Sequence, residues 1–197
     1  MTITFVFILV AWIFSLCVHE CAHAVVAYMG GDYTVKDKGY LSLNPLKFTD
    51  PLLSIGLPLL FLLIGGLGLP GGCVYIERHL LCSRGWDCAV SLAGPLANLV
   101  LAILLASPFY LGFVEWGTDE TVWNALAFLV ILQLVAMFFN LIPIPGFDGF
   151  GALSAWMDPQ LRARIYQFSN ISFFIFILII WNVPQANSLL WVTIFRM

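Results

Sequence analysis

Long apolar stretches alternate with short polar segments along this chain. The apolar stretches cover residues 3–29, 52–69, 89–113, 122–144 and 171–183, with residues 188–195 as a candidate extension of the last. About 20 mostly apolar residues are needed to span the hydrocarbon core of a membrane as a helix. The pattern therefore predicts an all-α membrane protein, a polytopic bundle of four to six transmembrane helices with short extended or re-entrant segments.

The composition points to the same class. Of the 197 residues, 61% are hydrophobic and 10% are charged, whereas a soluble globular domain carries about 25% charged residues. The length suits one integral membrane domain over residues 1–197. The net charge of −3, with eight scattered Lys and Arg residues, argues against a nucleic-acid partner. The expected surroundings are the lipid bilayer of the cell membrane.

Basic residues follow the first apolar stretch, precede the third and follow the fourth: Lys36, Lys38, Lys47, Arg78, Arg84, Arg162 and Arg164. Cytoplasmic loops are enriched in Lys and Arg, so these segments are expected in the cytoplasm, with the acidic residues 115–120 and the N-terminus on the opposite side. Both ends of residues 52–69 would then be cytoplasmic. Either residues 50–73 re-enter the membrane, or residues 33–48 also cross it in a sheltered, non-helical form.

A polar cluster interrupts the first apolar stretch. His19 and His23 are four residues apart, so on a helix they share one face and can bind one metal ion. With Glu20 they form the H-E-x-x-H motif of zinc proteases, in which the glutamate is the general base. Ionisable groups at membrane depth are costly and generally mark function, which disfavours a chance occurrence. Cys17 and Cys21 fall on the opposite face and are expected to pack rather than bind metal.

Catalytic zinc takes three protein ligands and one water, so a third ligand is needed. Asp148 is a candidate, because it directly follows the fourth apolar stretch and a segment containing Pro143, Pro145 and Gly146. The prolines must break the helix, and broken backbone at membrane depth implies a sheltered polar cavity. The alternative is that Asp148 caps a helix at an interfacial turn.

A third motif, Gly-Pro-Leu-Ala-Asn, lies at residues 94–98 in the third apolar stretch. Its small residues allow helices to approach closely. Asn98 either makes a structural hydrogen bond between helices or donates to the oxyanion that forms during hydrolysis.

Together the three motifs resemble those of the site-2 protease family of intramembrane zinc metalloproteases. Residues 19–23 are similar to the family's zinc motif, residues 94–98 to its Gly-Pro-x-x-Asn motif, and residues 140–149 to its Asn-x-x-Pro-x-Pro-x-x-Asp-Gly motif, in the same order. Gly146 and Phe150 stand where relatives often have proline and glycine, which affects only the local shape of the loop.

The resemblance implies a three-helix catalytic core and the compact form of the family without a PDZ domain. It also implies that one Zn²⁺ per chain is bound by His19, His23 and Asp148, and that Glu20 acts as base and acid. Of the two motif asparagines, Asn140 is favoured as the oxyanion donor, and Asn98 as a clamp that positions the Asp148 loop or the substrate. The expected substrates are single-pass transmembrane proteins or peptides, cleaved within or near the bilayer at a site nearer the cytoplasm.

Four further interpretations stay open. Residues 73–77 are β-prone and could form an edge strand that holds an unwound substrate by β-addition, or an ordinary loop. The His/Glu/Asp cluster could instead belong to a transporter or metal-ion pathway, although no repeated half and no second acidic site accompany it. Zinc could also stabilise a noncatalytic scaffold, or bind in the loop at Cys73, His79, Cys82 and Cys88, whose spacing is irregular.

Overall fold

The structure, a computed structural model, describes residues 2–48, 74–113 and 121–169, and the single positions 172, 175 and 182. These ranges contain helices and no strands. The helices are α1 (Thr2–Met29), α2 (Thr34–Asp37), α3 (Arg84–Tyr110), α4 (Thr121–Asn140), α5 (Asp148–Ser154) and α6 (Pro159–Tyr166). Short 3₁₀ turns occur at Pro45–Lys47 and Arg78–Leu80.

Helices α1, α3 and α4 are long and apolar enough to cross a membrane. The 27 residues of α3 extend about 40 Å, close to the thickness of a bilayer with its headgroups. The prediction of an all-α membrane protein is thus confirmed. Residues 50–73 and 115–120, and nearly all positions beyond 169, lie outside the described residues, so the total of four to six spans and the choice between re-entry and crossing stay predictions.

The ends of two helices do not coincide with the ends of the apolar stretches in the sequence. α3 begins at Arg84, before the apolar stretch starts, because the Ser83 side chain caps it by accepting a hydrogen bond from the Trp86 amide at 3.3 Å. α4 ends at Asn140, before the apolar stretch does, because Pro143 and Pro145 cannot continue a helix.

The central helix is α3, which packs against α1, α4 and α5. Its N-terminal end lies beside the C-terminal end of α1, where the Cys82 amide donates to the Gly30 carbonyl at 2.8 Å. α1 and α3 are therefore antiparallel. Cys17 is buried in an apolar cluster with Ala24, Ala27 and Val90, which confirms that it is a packing residue.

The basic segments meet at this same end of the bundle. Lys38 Nζ lies 3.0 Å from Glu77 Oε1, and Arg78 and Arg162 both pair with Asp87 at the start of α3. Their meeting agrees with the expectation that the basic segments share one side of the membrane. That this side is the cytoplasm stays a prediction.

Candidate metal centre

The two histidines of α1 are buried against α3. His19 and His23 are each 5% exposed, and their Nε2 atoms lie 3.1 Å apart. A Cβ atom at Gly94 of α3 would clash with the Nε2 atoms of both rings. The absence of a side chain at Gly94 is therefore what lets both imidazoles lie directly against α3.

One hydrogen bond sets the orientation of the His23 ring. Its Nδ1 lies 2.6 Å from the carbonyl oxygen of Val90 on α3. A carbonyl only accepts, so Nδ1 carries a proton, and in the neutral ring the lone pair is then on Nε2. Metal-binding histidines are commonly held in this way by a partner on the second ring nitrogen.

Asp148, the first residue of α5, reaches the same point. Its Oδ2 lies 3.2 Å from His19 Nε2 and 3.4 Å from His23 Nε2. A Cβ atom at Gly149 would clash with the Leu141 backbone, so this glycine permits the tight return of the chain that brings Asp148 to α1.

The three atoms fit a zinc ion. Zinc–ligand bonds of 2.0–2.1 Å in a tetrahedron place neighbouring ligand atoms about 3.3 Å apart, and here the separations are 3.1, 3.2 and 3.4 Å. Oδ2 of Asp148 is buried without a hydrogen-bond donor. Two imidazole lone pairs and a carboxylate that converge in this way repel each other unless a cation lies between them.

No second metal-binding group is found in the part of the chain that the structure describes. His19, His23 and Asp148 are the one set of three or more potential ligand atoms there, all within 4.8 Å of one another. His79, Cys82 and Cys88 do not assemble into such a set, and Cys73 lies outside the described residues. The loop zinc site considered from the sequence thus has no support among the described residues.

A cavity of about 630 Å³ opens onto the centre, and we call it the catalytic cavity. Glu20 lines it and is 5% exposed. Asn140 also lines it, and its Nδ2 is buried without a hydrogen-bond partner. Asn98 does not line this cavity. It lies on the other side of His19, in a cavity of about 10 Å³ shared with Gln133, which we call the rear cavity.

Several lining residues were not predicted as site residues from the sequence. Arg78, Ser91 and Tyr166 line the catalytic cavity, and Arg78 Nη1 donates to Ser91 Oγ at 3.2 Å. In the sequence, Arg78 stands out only as a basic residue of a loop. Its partner Asp87, an acid at the start of an apolar stretch, was the available signal that this arginine is fixed in place.

Residues 74–76 form another wall of the catalytic cavity. The structure assigns no strand to residues 74–77, so of the two alternatives for this segment the loop holds for these residues. The loop is tethered to the preceding segment: Lys38 Nζ donates to the Tyr75 carbonyl at 3.0 Å, and Asp32 Oδ2 accepts from the Glu77 amide at 2.8 Å.

The known proteins to which this chain is similar are all named as zinc metalloproteases. The chain is 44% identical over 186 residues to Rip2 of Mycolicibacterium smegmatis, named as a zinc metalloprotease, with 93% of this chain and 69% of the relative covered. It is 39% identical to Rip2 of Mycobacterium tuberculosis, with 93% and 70% covered. YwhC of Bacillus subtilis, also named as a zinc metalloprotease, is 32% identical, with 94% and 84% covered. No family model matches the chain, and no solved structure gives a significant match.

Proposed function

This chain belongs to the site-2 protease family of intramembrane zinc metalloproteases, and we propose that one Zn²⁺ per chain is bound by His19, His23 and Asp148 and that Glu20 is the catalytic base. The observation that carries this assignment is the triangle of ligand atoms, with sides of 3.1, 3.2 and 3.4 Å. Two further observations support the zinc site: the Val90 carbonyl orients the His23 ring, and Gly94 has no side chain that would displace the two imidazoles.

The residues of the catalytic cavity divide the work of hydrolysis. Zinc held by His19, His23 and Asp148 would supply Lewis-acid chemistry, which lowers the pKa of a water and polarises the scissile carbonyl. Glu20 accepts the proton from the attacking water and passes it to the leaving amine. Asn140 donates a hydrogen bond from its Nδ2 to the substrate oxygen that becomes negatively charged in the transition state. Its lack of another hydrogen-bond partner leaves that donor available for the substrate.

The proposed substrates are single-pass transmembrane proteins or peptides. A helical substrate hides its peptide bonds, so it must unwind to enter the cavity. Residues 74–76, which line the cavity without regular structure, would contact the unwound segment. The histidines lie within about the last three turns of α1, towards the basic end of the bundle. If the positive-inside rule holds, the site is nearer the cytoplasm and draws its water from that side.

A Glu20→Gln variant tests the role of the glutamate. We expect it to keep about one zinc per chain and to cleave a short transmembrane substrate in detergent at least about 100-fold more slowly, because the amide cannot accept the proton. Glu77→Gln is the matched control, since Glu77 is 44% exposed and pairs with Lys38 outside the catalytic cavity. Undiminished cleavage by Glu20→Gln would refute the assignment.

An Asp148→Ala variant tests the ligand role, because it should lose zinc itself. We expect zinc affinity to fall more than about 100-fold, since removal of a ligand weakens binding at least as much as removal of a residue that orients one. Asp37→Ala is the control, because Asp37 is exposed on α2. Full zinc content in Asp148→Ala at low free zinc would remove Asp148 from the ligand set.

A further inference from the structure

A second cavity, of about 220 Å³, lies at the basic end of the bundle, and we call it the arginine cavity. Its walls include three arginines, Arg78, Arg84 and Arg162, and one carboxylate, Asp87. The positive charges therefore exceed the negative ones by two. Arg78 lines both this cavity and the catalytic cavity, so the two are adjacent.

Asp87 is fully engaged by two of the arginines. Arg162 Nη1 lies 2.5 Å from Asp87 Oδ2 and Nη2 lies 3.4 Å from Oδ1, while Arg78 also bonds to Oδ1. Arg84 is exposed and, among the residues that the structure describes, has no ion pair or hydrogen bond. Asp158, beside the cavity, is used in capping α6, since it accepts from the Gln160 amide at 2.9 Å. The excess positive charge thus has no neutralising side chain among these residues.

The position of the arginine cavity relates it to the membrane surface. Arg84 is the first residue of α3, whose 27 residues are long enough to reach from one headgroup layer to the other. Trp156 and Leu161, on the adjacent α5–α6 segment, are 62% and 51% exposed. Exposed tryptophan is typical of the membrane interface. We therefore expect the cavity at the depth of the phospholipid phosphates.

We propose that the arginine cavity binds the phosphate of an anionic membrane phospholipid. Guanidinium groups match phosphate oxygens in charge and in bidentate geometry, and basic pockets at the ends of transmembrane helices bind anionic headgroups. Leu81 and Met157 form an apolar part of the wall, which suits the glycerol and upper acyl chain of a lipid and offers nothing to a free phosphate ion. A bound headgroup would also hold Arg78, and with it one wall of the catalytic cavity.

The test is native mass spectrometry of the purified protein with an equimolar mixture of phosphatidylglycerol and phosphatidylcholine. We expect phosphatidylglycerol to be retained at least about fivefold more than phosphatidylcholine. Arg84→Gln should reduce the retention of phosphatidylglycerol about fivefold, since one basic residue near a membrane contributes about 1 kcal/mol. Arg84 is exposed and makes no described contact, so the variant should fold.

Arg164→Gln is the matched control, because Arg164 is exposed on α6 and does not line the cavity. Its lipid retention should equal that of the unchanged protein. Equal retention of the two lipids, or equal losses in the two variants, would overturn the proposal. Excess inorganic phosphate should not displace the lipid. Displacement would identify a soluble phosphate as the ligand and overturn the phospholipid assignment.

Discussion

His19 lies between two cavities that differ in size and chemistry. The catalytic cavity has a volume of about 630 Å³ and contains Glu20, Asn140 and Asp148. The rear cavity has about 10 Å³, room for at most about one water molecule. A peptide and several water molecules can therefore be accommodated in the catalytic cavity but not in the rear cavity. The polar residues at membrane depth thus fall into two groups: some line the catalytic cavity, and others bond helices to each other.

On the rear side, one hydrogen bond joins α4 to α1 and a second lies within α1. Gln133 Nε2 on α4 donates to Ser15 Oγ on α1 at 2.8 Å, and Ser15 Oγ donates to the Trp12 carbonyl at 2.8 Å. On the catalytic side, Asn140 Nδ2 and Asp148 Oδ2 are buried without hydrogen-bond partners of their own. The unpaired atoms of the catalytic side thus face space that a substrate and a metal can occupy.

The largest difference between the catalytic cavity and the rear cavity is expected when their asparagines, Asn140 and Asn98, are replaced by alanine. Asn140→Ala should lower kcat about 10²-fold or more and leave KM and zinc content nearly unchanged, because its donor acts mainly in the transition state. Asn98→Ala should weaken zinc binding about tenfold, since Asn98 shares the rear cavity with His19 and can act only through that ligand.

Kinetics with a short transmembrane substrate and zinc competition with a chelator would measure both quantities. The comparison between the two sides fails if Asn140→Ala keeps full turnover. It fails equally if Asn98→Ala loses turnover while its zinc affinity is unchanged.

Much of this site could be predicted from the sequence because its signals are local. The spacing of His19 and His23 follows from helix periodicity, and the prolines after Asn140 end a helix wherever they occur. The class of fold follows from the apolar stretches alone. Asp148 could be proposed as a ligand, but its distance from the histidines depends on the close return of the chain at Gly149, which is a property of the folded loop.

The different positions of the two asparagines could not be predicted. Asn98 and Asn140 each lie in a motif near the metal, and the sequence does not show which face of His19 each will meet. That depends on the rotation of α3 and α4 about their axes, which packing sets. The pairing of Arg162 with Asp87 was hidden for a similar reason, since Arg162 lies 75 positions from Asp87 in the chain.

A smaller effect is expected at Gly94, where α3 supports both imidazoles. Alanine in the middle of a helix is usually stabilising by about 1 kcal/mol relative to glycine. Here the added Cβ would clash with His19 and His23, so Gly94→Ala should instead weaken zinc binding about 10-fold by displacing them. Gly85→Ala on the same helix is the control, because its Cβ would meet Ser83 Oγ at an ordinary 3.5 Å. Equal zinc affinities in the two variants would contradict this account.

The smallest effect is expected at Gln133 in the rear cavity. Its Nε2 holds Ser15, but its Oε1 is buried without a partner, so the residue brings both a favourable hydrogen bond and an unfavourable buried oxygen. Hydrogen bonds between membrane helices average about 0.6 kcal/mol, and an unpaired buried polar atom offsets a contribution of that size. Gln133→Leu keeps a similar volume and removes both terms, so the free energy of unfolding in detergent should change by less than about 1 kcal/mol.

Ser15→Ala provides the contrasting variant, because it removes the acceptor and leaves the Gln133 amide buried with neither oxygen nor nitrogen paired. That variant should be destabilised by about 1–3 kcal/mol, and the double variant Ser15→Ala/Gln133→Leu should recover most of the loss. Chemical unfolding of the four proteins in one detergent gives the coupling between the two positions directly. If Gln133→Leu alone proved as harmful as Ser15→Ala, the hydrogen bond between α4 and α1 would outweigh the cost of the buried Oε1, and the expected near-cancellation of the two terms would be wrong.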